Sequence, residues 1–456
     1  VHRKLVLVGA GSVVFTRGLV ADLIQSPDLG PWTLGLVDID PDALETAHGL
    51  VRRMLAVQHA DIAVEASTER QDLLCDADVV VTTIGVGGRR AWESDVFIPR
   101  KYGIYQPVGD TVMPGGISRA MRMIPALVDI ARDVKKLCPG AWLFNYSNPM
   151  TANCWAIREA TGVPVVGLCH GTFHVVRQLA SFIGAPPKEV TALYAGLNHL
   201  TFIHDLRWRG RDAWPLVRAR LAQEQGDSVD VQSLGSQFPE MGAAFSESFP
   251  STENPFSWSL FETYGAYPAA NDRHVTEFFP ERFPSGTYYG KTLGVDAFSF
   301  EGTIEHGDRG YAQMRAQALG EAALDERIFA RGAGEHEQLV EILRCLWADE
   351  RKVFASNVPN RGAIPGLPDD AILELPTVTT ATGLRALQMA DLSEPLKAIL
   401  SRKLAATRLT VQAALQGDRR LFVEALLVDG AVQDAQIAEE LATELLSAQQ
   451  TYLPQF

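Results

Sequence analysis

The chain of 456 residues has no surplus of positive charge: 41 Lys and Arg stand against 55 Asp and Glu, a formal net charge of −14. Phosphate backbones and anionic membranes are bound through a basic face, and no basic patch is evident, so neither nucleic acid nor membrane is expected as a partner. Cysteine is scarce. The five present, Cys75, Cys138, Cys154, Cys169 and Cys345, are odd in number and irregularly spaced, which fits a reducing cytoplasm better than a disulfide framework. No stretch approaches the roughly 20 apolar residues of a membrane span. Val1-His2-Arg3-Lys4 leads directly into a strand pattern with no signal-length apolar run, so a cytoplasmic location is expected.

What is present is ordinary for a soluble globular protein, 46% hydrophobic and 21% charged. The length exceeds what one core comfortably serves, so two intimately packed domains, or one large domain with a substantial insertion, are expected. Lys4-Leu5-Val6-Leu7-Val8 reads as a buried strand and runs at once into Gly9-Ala10-Gly11-Ser12 and a helical stretch to about Ile24. Strand, glycine turn and helix in that order suit a dinucleotide pyrophosphate, because glycines permit a tight turn and a helix N-terminus meets the charge. Val14 occupies the place of the usual third glycine. The next strand, Thr33 to Val37, ends in Asp38, an acid placed to bind both adenosine ribose hydroxyls and to repel a 2′-phosphate; this favours NAD over NADP.

Two more strands end in polar turns. Ala77 to Ile84 runs into Gly85-Val86-Gly87-Gly88, which makes Thr83 and Gly85 cofactor-binding candidates. Trp142 to Ser147 runs into Asn148-Pro149, with Asn145 at the strand end as a further cofactor candidate. Four such endings separated by helical stretches predict an α/β fold, a Rossmann-type doubly wound parallel sheet. Between them, Tyr105 to Arg119 is too rich in glycine, proline and polar groups for a plain connector, and loops of this kind carry function; a helix is expected from Arg119 to Lys136. A fifth run, Val165-Val166-Gly167-Leu168, ends on Cys169-His170-Gly171, and Gly196-Leu197 breaks at Asn198-His199. Cys169 and His199 are a possible metal pair if two strands end side by side.

With this loop, Asn148-Pro149, Cys169-His170 and Asn198-His199 in view, the chain resembles glycoside hydrolase family 4, the NAD- and divalent-metal-dependent glycosidases. The resemblance continues at Tyr264-Gly265-Ala266-Tyr267-Pro268, at Asn271-Asp272-Arg273-His274 and from Asn357 to Pro368, and so covers nearly the whole chain. It implies a fold similar to lactate and malate dehydrogenases. An NAD-binding Rossmann domain would span 1–195, and a C-terminal α+β domain over 196–456 would complete the site. It also implies a mechanism outside the usual two-carboxylate scheme: hydride passes from sugar C3 to NAD+, a base removes the acidified C2 proton, the leaving group departs from C1, water adds, and the hydride returns.

The resemblance assigns the metal to Cys169 and His199, with Mn2+ or another divalent cation beside the sugar oxygens. The base is expected at Tyr264, with Tyr267 second. Asp110 and Asp272 join the catalytic set, while Asn148, Arg119, His170, Arg273 and Asn360 are expected to bind substrate. Cys169-His170-Gly171 looks like the uronidase branch, so an α-glucuronide or α-galacturonide is expected, its anion received by Arg89, Arg119 or Arg273. A sulfoquinovosidase or α-galactosidase of the same mechanism, or a plain NAD-dependent sugar dehydrogenase, is the alternative. A homodimer or homotetramer is expected. Asp205 to about Glu253 reads as an excursion over the site or an oligomer contact. Leu339, Ile342, Leu343 and Leu346, and later Leu396, Ile399, Leu400 and Leu404, recur at helical spacing and read as core.

Overall fold

The structure is a computed structural model and describes residues 2–224, 238, 254–329 and 338–456. Six strands form its parallel half: β1 (Arg3–Val8), β2 (Trp32–Val37), β3 (Ile62–Ser67), β4 (Val79–Thr82), β5 (Trp142–Asn145) and β6 (Val165–Gly167). Their order, β3-β2-β1-β4-β5-β6, is the doubly wound dinucleotide-binding order, as expected from the glycine and acid turns. Both faces are buried, which is why β1 reads as an unbroken apolar run. Val6 and Val8 pack into the core shared with helix Met113–Leu137, whereas Leu5 and Leu7 pack on the opposite face with Leu44 and Leu50 of helix Pro41–Gln58.

The sheet then continues without a break into an antiparallel half. Strands β7 (Val190–Leu197), β8 (Leu200–Trp208), β9 (Arg211–Asp212) and β10 (Tyr267–Ala269) come first along the chain. A separate hairpin of β11 (Thr287–Tyr288) and β12 (Lys291–Thr292) precedes β13 (Val353–Pro359), β14 (Ile372–Thr380) and β15 (Gly383–Ala386). The halves join where β13 lies antiparallel to β6 at Asn357 and Gly167, and β14 meets β7 at Glu374 and Gly196. The turn between β7 and β8, Asn198-His199, is thereby carried toward the edge where the parallel strands end. The expected apolar helices are core: Leu339, Ile342, Leu343 and Leu346 are buried in the cluster that holds Leu5 and Leu7, and Leu396, Leu400 and Leu404 lie in the other core, with Ile399 partly buried against it. Among the described residues no helix is long and apolar enough to cross a membrane.

Two differences from expectation concern loops. Of the expected excursion, residues 225–237 and 239–253 lie outside the described residues; Asp205 to Glu224 completes β8, forms β9 and enters helix Trp214–Glu224. The glycine-rich loop is shorter than expected, because helix Met113–Leu137 already begins at Met113, not at Arg119. The glycines there serve close packing: a Cβ on Gly116 would sit 2.3 Å from the Thr111 carbonyl carbon, so only glycine lets this helix start against Asp110-Thr111.

Beneath the Gly85–Gly88 turn a fully buried ion pair ties two helices together. Arg122 donates to both Asp95 oxygens, at 2.9 and 2.6 Å, and through Nε to the Val86 carbonyl at 2.9 Å. Ser118 and Gln449 also donate to Asp95. Burial pushes the Asp95 carboxyl up and the guanidinium opposes this. Removing one partner strands a buried charge, whereas removing both does not. Arg122→Leu is therefore expected to lose about 3–5 kcal/mol in denaturant unfolding, and the double variant with Asp95→Leu should recover much of that loss. Equal stability of Arg122→Leu and wild type would show that the pair holds nothing in place.

Candidate active site

The β1 turn has the shape a pyrophosphate requires. Gly9 has φ +96, and a Cβ there would lie 2.8 Å from Ile84 N, so the turn presses directly on the end of β4. Thr83 donates its hydroxyl to the Gly9 carbonyl at 2.8 Å, which fixes the two turns against each other. Asp38 Oδ2 accepts from Gly11 N at 2.8 Å and Oδ1 from Asp40 N at 3.1 Å, so the acid at the end of β2 is aligned by the glycine turn itself. Ser12 caps the next residues by accepting from Phe15 N at 3.3 Å. Gly85 leads the following turn, its missing Cβ facing Arg119 at 3.8 Å. Asn145 is fully buried and its amide is spent on Thr82, Ser147 and Cys154, so it shapes the end of β5 from within.

Ligand atoms of Asp110, His199 and His274 all lie within 4.8 Å of one another, a group able to hold a metal ion. The three come from the loop before helix Met113–Leu137, from the β7–β8 turn where His199 has φ +67, and from the short helix Asn271–Val275. Thr111 organises them. Its hydroxyl lies 2.6 Å from Asp110 Oδ1 and 2.8 Å from His199 Nδ1. A carboxylate can only accept, so the single hydroxyl proton goes to Asp110 and the oxygen accepts from His199 Nδ1–H. That tautomer leaves the His199 Nε2 lone pair free. Asn148 Nδ2 donates to the other Asp110 oxygen at 2.9 Å.

These groups titrate together. Burial works against the Asp110 charge, while the two histidines when protonated, Arg119 and the Thr111 hydroxyl hold the carboxyl below its ordinary value; with the imidazoles neutral, Arg119 and Thr111 remain to favour the anion. Burial lowers His199, with Asp110 opposing and His170 and Arg273 adding to the effect; it takes His274 well below the ordinary imidazole value. The state we assign is an anionic Asp110 beside two neutral imidazoles, whose tilted rings have centroids 3.9 Å apart.

The other expected residues fall into two sets. Around the group, Arg119 donates through Nε to the Asn148 carbonyl at 3.1 Å, and Arg273 donates to Thr303 at 2.9 Å. Arg273 makes no ion pair among the described residues, and its Nε, Asn148 Oδ1, Asn198 Oδ1 and His274 Nδ1 are buried there without a hydrogen-bond partner. Cys169 follows β6; its Sγ accepts from Gly171 N at 3.4 Å and it is not part of the three-residue group. His170 is exposed at the start of helix Gly171–Phe182. Tyr264 is half-buried at the end of helix Pro255–Tyr264, whereas Tyr267 in β10 is buried against Trp258 and its phenol is pushed up by burial and by Asp272.

Three expectations change. Asp272 is fully buried, and its two oxygens accept from Phe256 N, Ser257 N, the Ser257 hydroxyl and the Tyr288 hydroxyl. Those bonds anchor a helix N-terminus. Asn360 is also fully buried and bonded within its own loop, to Ile364 and Leu367. Arg89 is paired with Asp308 at 2.5 Å on the surface.

Four residues that sequence reasoning did not single out complete the arrangement. Thr111 and His274 lie inside quoted motifs but had no spacing to mark them. Glu277 follows His274 by one helical turn, and its Oε1 accepts from Val108 N and Gly109 N, each at 2.8 Å, holding the backbone that carries Asp110. Glu374 accepts from Thr172, from Asn198 at 3.1 Å and from Asn357 at 3.4 Å, and so ties the His199 turn to the helix after β6 and to β13. Burial raises its carboxyl while the three donors oppose this.

Comparisons with known proteins agree along the whole chain. A sequence profile described as family 4 glycosyl hydrolase matches residues 4–185, and one for the C-terminal domain of that family matches 194–432. An alpha-glucosidase of Erwinia rhapontici is 30% identical over 99% of this chain and 98% of its own length. An alpha-galacturonidase of Thermoanaerobacterium saccharolyticum is also 30% identical, over 98% of this chain and 95% of its own. A 6-phospho-alpha-glucosidase from gut microorganisms, solved in complex with NAD and Mn2+, superposes over 100% of both chains with a TM-score of 0.82 at 18% identity, a likeness of fold.

The buried Glu277 generates a stability prediction. Burial first, and then the Asp110 charge, push its carboxyl from 4.5 to about 8, against the two backbone donors and Arg273. The folded state thus holds the proton more tightly than the unfolded chain. The stability this contributes is fully present below pH 4.5 and is lost as pH rises through about 8. Glu277→Gln keeps an acceptor but no titration, so its thermal midpoint relative to wild type should rise between roughly pH 5 and pH 9. A constant difference across that range would mean that Glu277 stays ionised.

Proposed function

We propose that this chain, which belongs to the family 4 glycosyl hydrolases, cleaves α-glycosides of a sugar with an anionic group at C6, using NAD+ and Mn2+ or another divalent cation. The observation that carries the reading is the meeting of two sites at one sheet edge. The Gly9 turn presses on the residues that follow β4, Gly85 there faces Arg119, Arg119 donates to the Asn148 carbonyl, and Asn148 donates to Asp110 of the group with His199 and His274. Two neutral imidazoles and a carboxylate fit a divalent first-row cation, and the orphaned polar atoms of Asn148, Asn198 and Arg273 fit a polyhydroxylated ligand. When bound, NAD+ supplies reversible acceptance of the C3 hydride, and the cation supplies polarisation of the C3 carbonyl.

In this reading the chain's residues position the sugar and move protons. Asp38 fixes the cofactor's adenosine ribose. Asn148 directs its amide at the sugar hydroxyls nearest the nicotinamide. Tyr264 removes the C2 proton; it is favoured over Tyr267, which is buried against Trp258 and whose phenol burial pushes up. Arg273, with a buried unpartnered Nε and no ion pair among the described residues, receives the C6 anion, helped by His170. An α-galacturonide or α-glucuronide is the substrate class favoured, in keeping with the galacturonidase relative.

The test is a set of aryl α-glycosides bearing hydroxymethyl, carboxylate, sulfonate or phosphate at C6, assayed with NAD+ and Mn2+ under reducing conditions. The carboxylates should be hydrolysed most efficiently, only with both cofactors, and with no net NADH. Hydrolysis without NAD+ would sink the proposal, and NADH accumulating in step with substrate would make the protein a dehydrogenase. Tyr264→Phe should slow exchange of the C2 proton with solvent by about 100-fold or more; if Tyr267→Phe alone does so, the base is Tyr267.

A further inference from the structure

Cys75 is the one exposed thiol among the described residues, and an exposed thiol contributes nothing to packing; Cys138, 63 positions on (138 − 75), is buried in the core. The fold sets the two side by side. Cys75 follows the last residue of helix Arg70–Leu74, and Cys138 follows the last residue of helix Met113–Leu137. These helices pack together and lead into neighbouring parallel strands, β4 and β5, in which Val79 pairs with Trp142. Each cysteine stands four residues before its member of that pair. The register is the same along the helices: Arg70 donates to Asp133 at 2.7 Å, and each stands five residues before its cysteine. The cysteines therefore lie where the spacing narrows from about 8–10 Å between packed helix axes to about 4.8 Å between paired strands. A disulfide needs Cα atoms roughly 4.4–6.8 Å apart, a span reached within that narrowing.

The two sulfurs also sense each other. Burial first, and then the charge of a Cys75 thiolate, push the Cys138 thiol up to about 11. Exposure divides the roles. A small disulfide in solution can reach Cys75, whereas Cys138, out of solvent, can reach the sulfur of Cys75. Both thiols stand before the amino ends of β4 and β5, and the Asp110 loop lies at the other end of helix Met113–Leu137.

We propose that Cys75 and Cys138 form a thiol pair that a low-molecular-weight disulfide, such as oxidised glutathione, closes to an intramolecular disulfide. The Cys75 thiolate attacks one glutathione sulfur; a Cys75–glutathione disulfide forms, the glutathione S–S bond breaks and one glutathione thiolate leaves. The Cys138 thiolate then attacks the Cys75 sulfur and expels the second glutathione. Two electrons pass from the protein thiols to the glutathione disulfide, and the two thiol protons end on the released glutathiones. Closure restricts the unfolded chain, so it stabilises the fold when the surroundings turn oxidising.

The experiment exposes the full-length protein to oxidised glutathione, blocks the remaining thiols by alkylation and maps the digest by mass spectrometry. In wild type the peptides of Cys75 and Cys138 should be joined, and the thermal midpoint should rise by roughly 2 °C or more, reversibly with dithiothreitol. Cys138→Ser should hold glutathione on Cys75, and Cys75→Ser should show no such rise in midpoint. Should Cys138→Ser fail to fold, the wild-type map decides alone. Glutathione left on Cys75 in wild type, or both thiols recovered alkylated, overturns the inference and leaves the glycosidase reading untouched.

Discussion

A hydroxyl group has one proton to give, and at Thr111 that limit orders the site. Asp110 is an anion and must accept, so the proton goes there, and the Thr111 oxygen is left to accept from His199. One side chain thereby sets the orientation of a carboxylate and the tautomer of an imidazole that are 89 positions apart in the chain (199 − 110). Much of the local structure serves to keep Thr111 where it is. Gly116 allows helix Met113–Leu137 to start against it, and Glu277 grips the two amides just before Asp110.

Buried carboxylates recur behind the site with a common physical role. Asp95, Glu277 and Glu374 are each removed from water; Glu277 accepts from two amides of the Asp110 loop, Glu374 from the Asn198 turn among its donors, and Asp95 from Arg122, which also donates to the Val86 carbonyl of the Gly85 turn. A loop with unmet amides is mobile; a buried acceptor converts those amides into fixed points, at the cost of desolvating the acid. Asp272 does the same for the N-terminus of helix Pro255–Tyr264, which ends in the proposed base. A carboxylate that looks catalytic by its company can thus be a fastening, and its filled hydrogen-bonding capacity is what distinguishes the two.

The sheet explains how a dinucleotide fold acquires a second chemistry. In the parallel half every functional turn lies at the carboxyl ends of β1, β2, β4, β5 and β6. Antiparallel addition of β13 to β6 and of β14 to β7 extends the same sheet, so the β7–β8 turn and the helix after β10 arrive at that edge from the other side. His199 and His274 come from this added half, and Asp110, Asn148 and Asp38 from the first.

The amino-acid sequence alone determined the parallel sheet, its glycine turn, the acid that closes β2, the apolar helices and the family, because strand and turn chemistry is local and repeats with a short period. It also determined that His199 and Asn148 stand at turns. Only the tertiary structure decided which side chains face one another. It paired His274 with His199 and Asp110, set Cys169 outside that group, turned Asp272 and Asn360 into internal fastenings, and spent Arg89 on Asp308. Those outcomes depend on how loops from the two halves of the sheet pack and on which donors are left for each acid once they have packed. Neither is written in the spacing of residues along the chain.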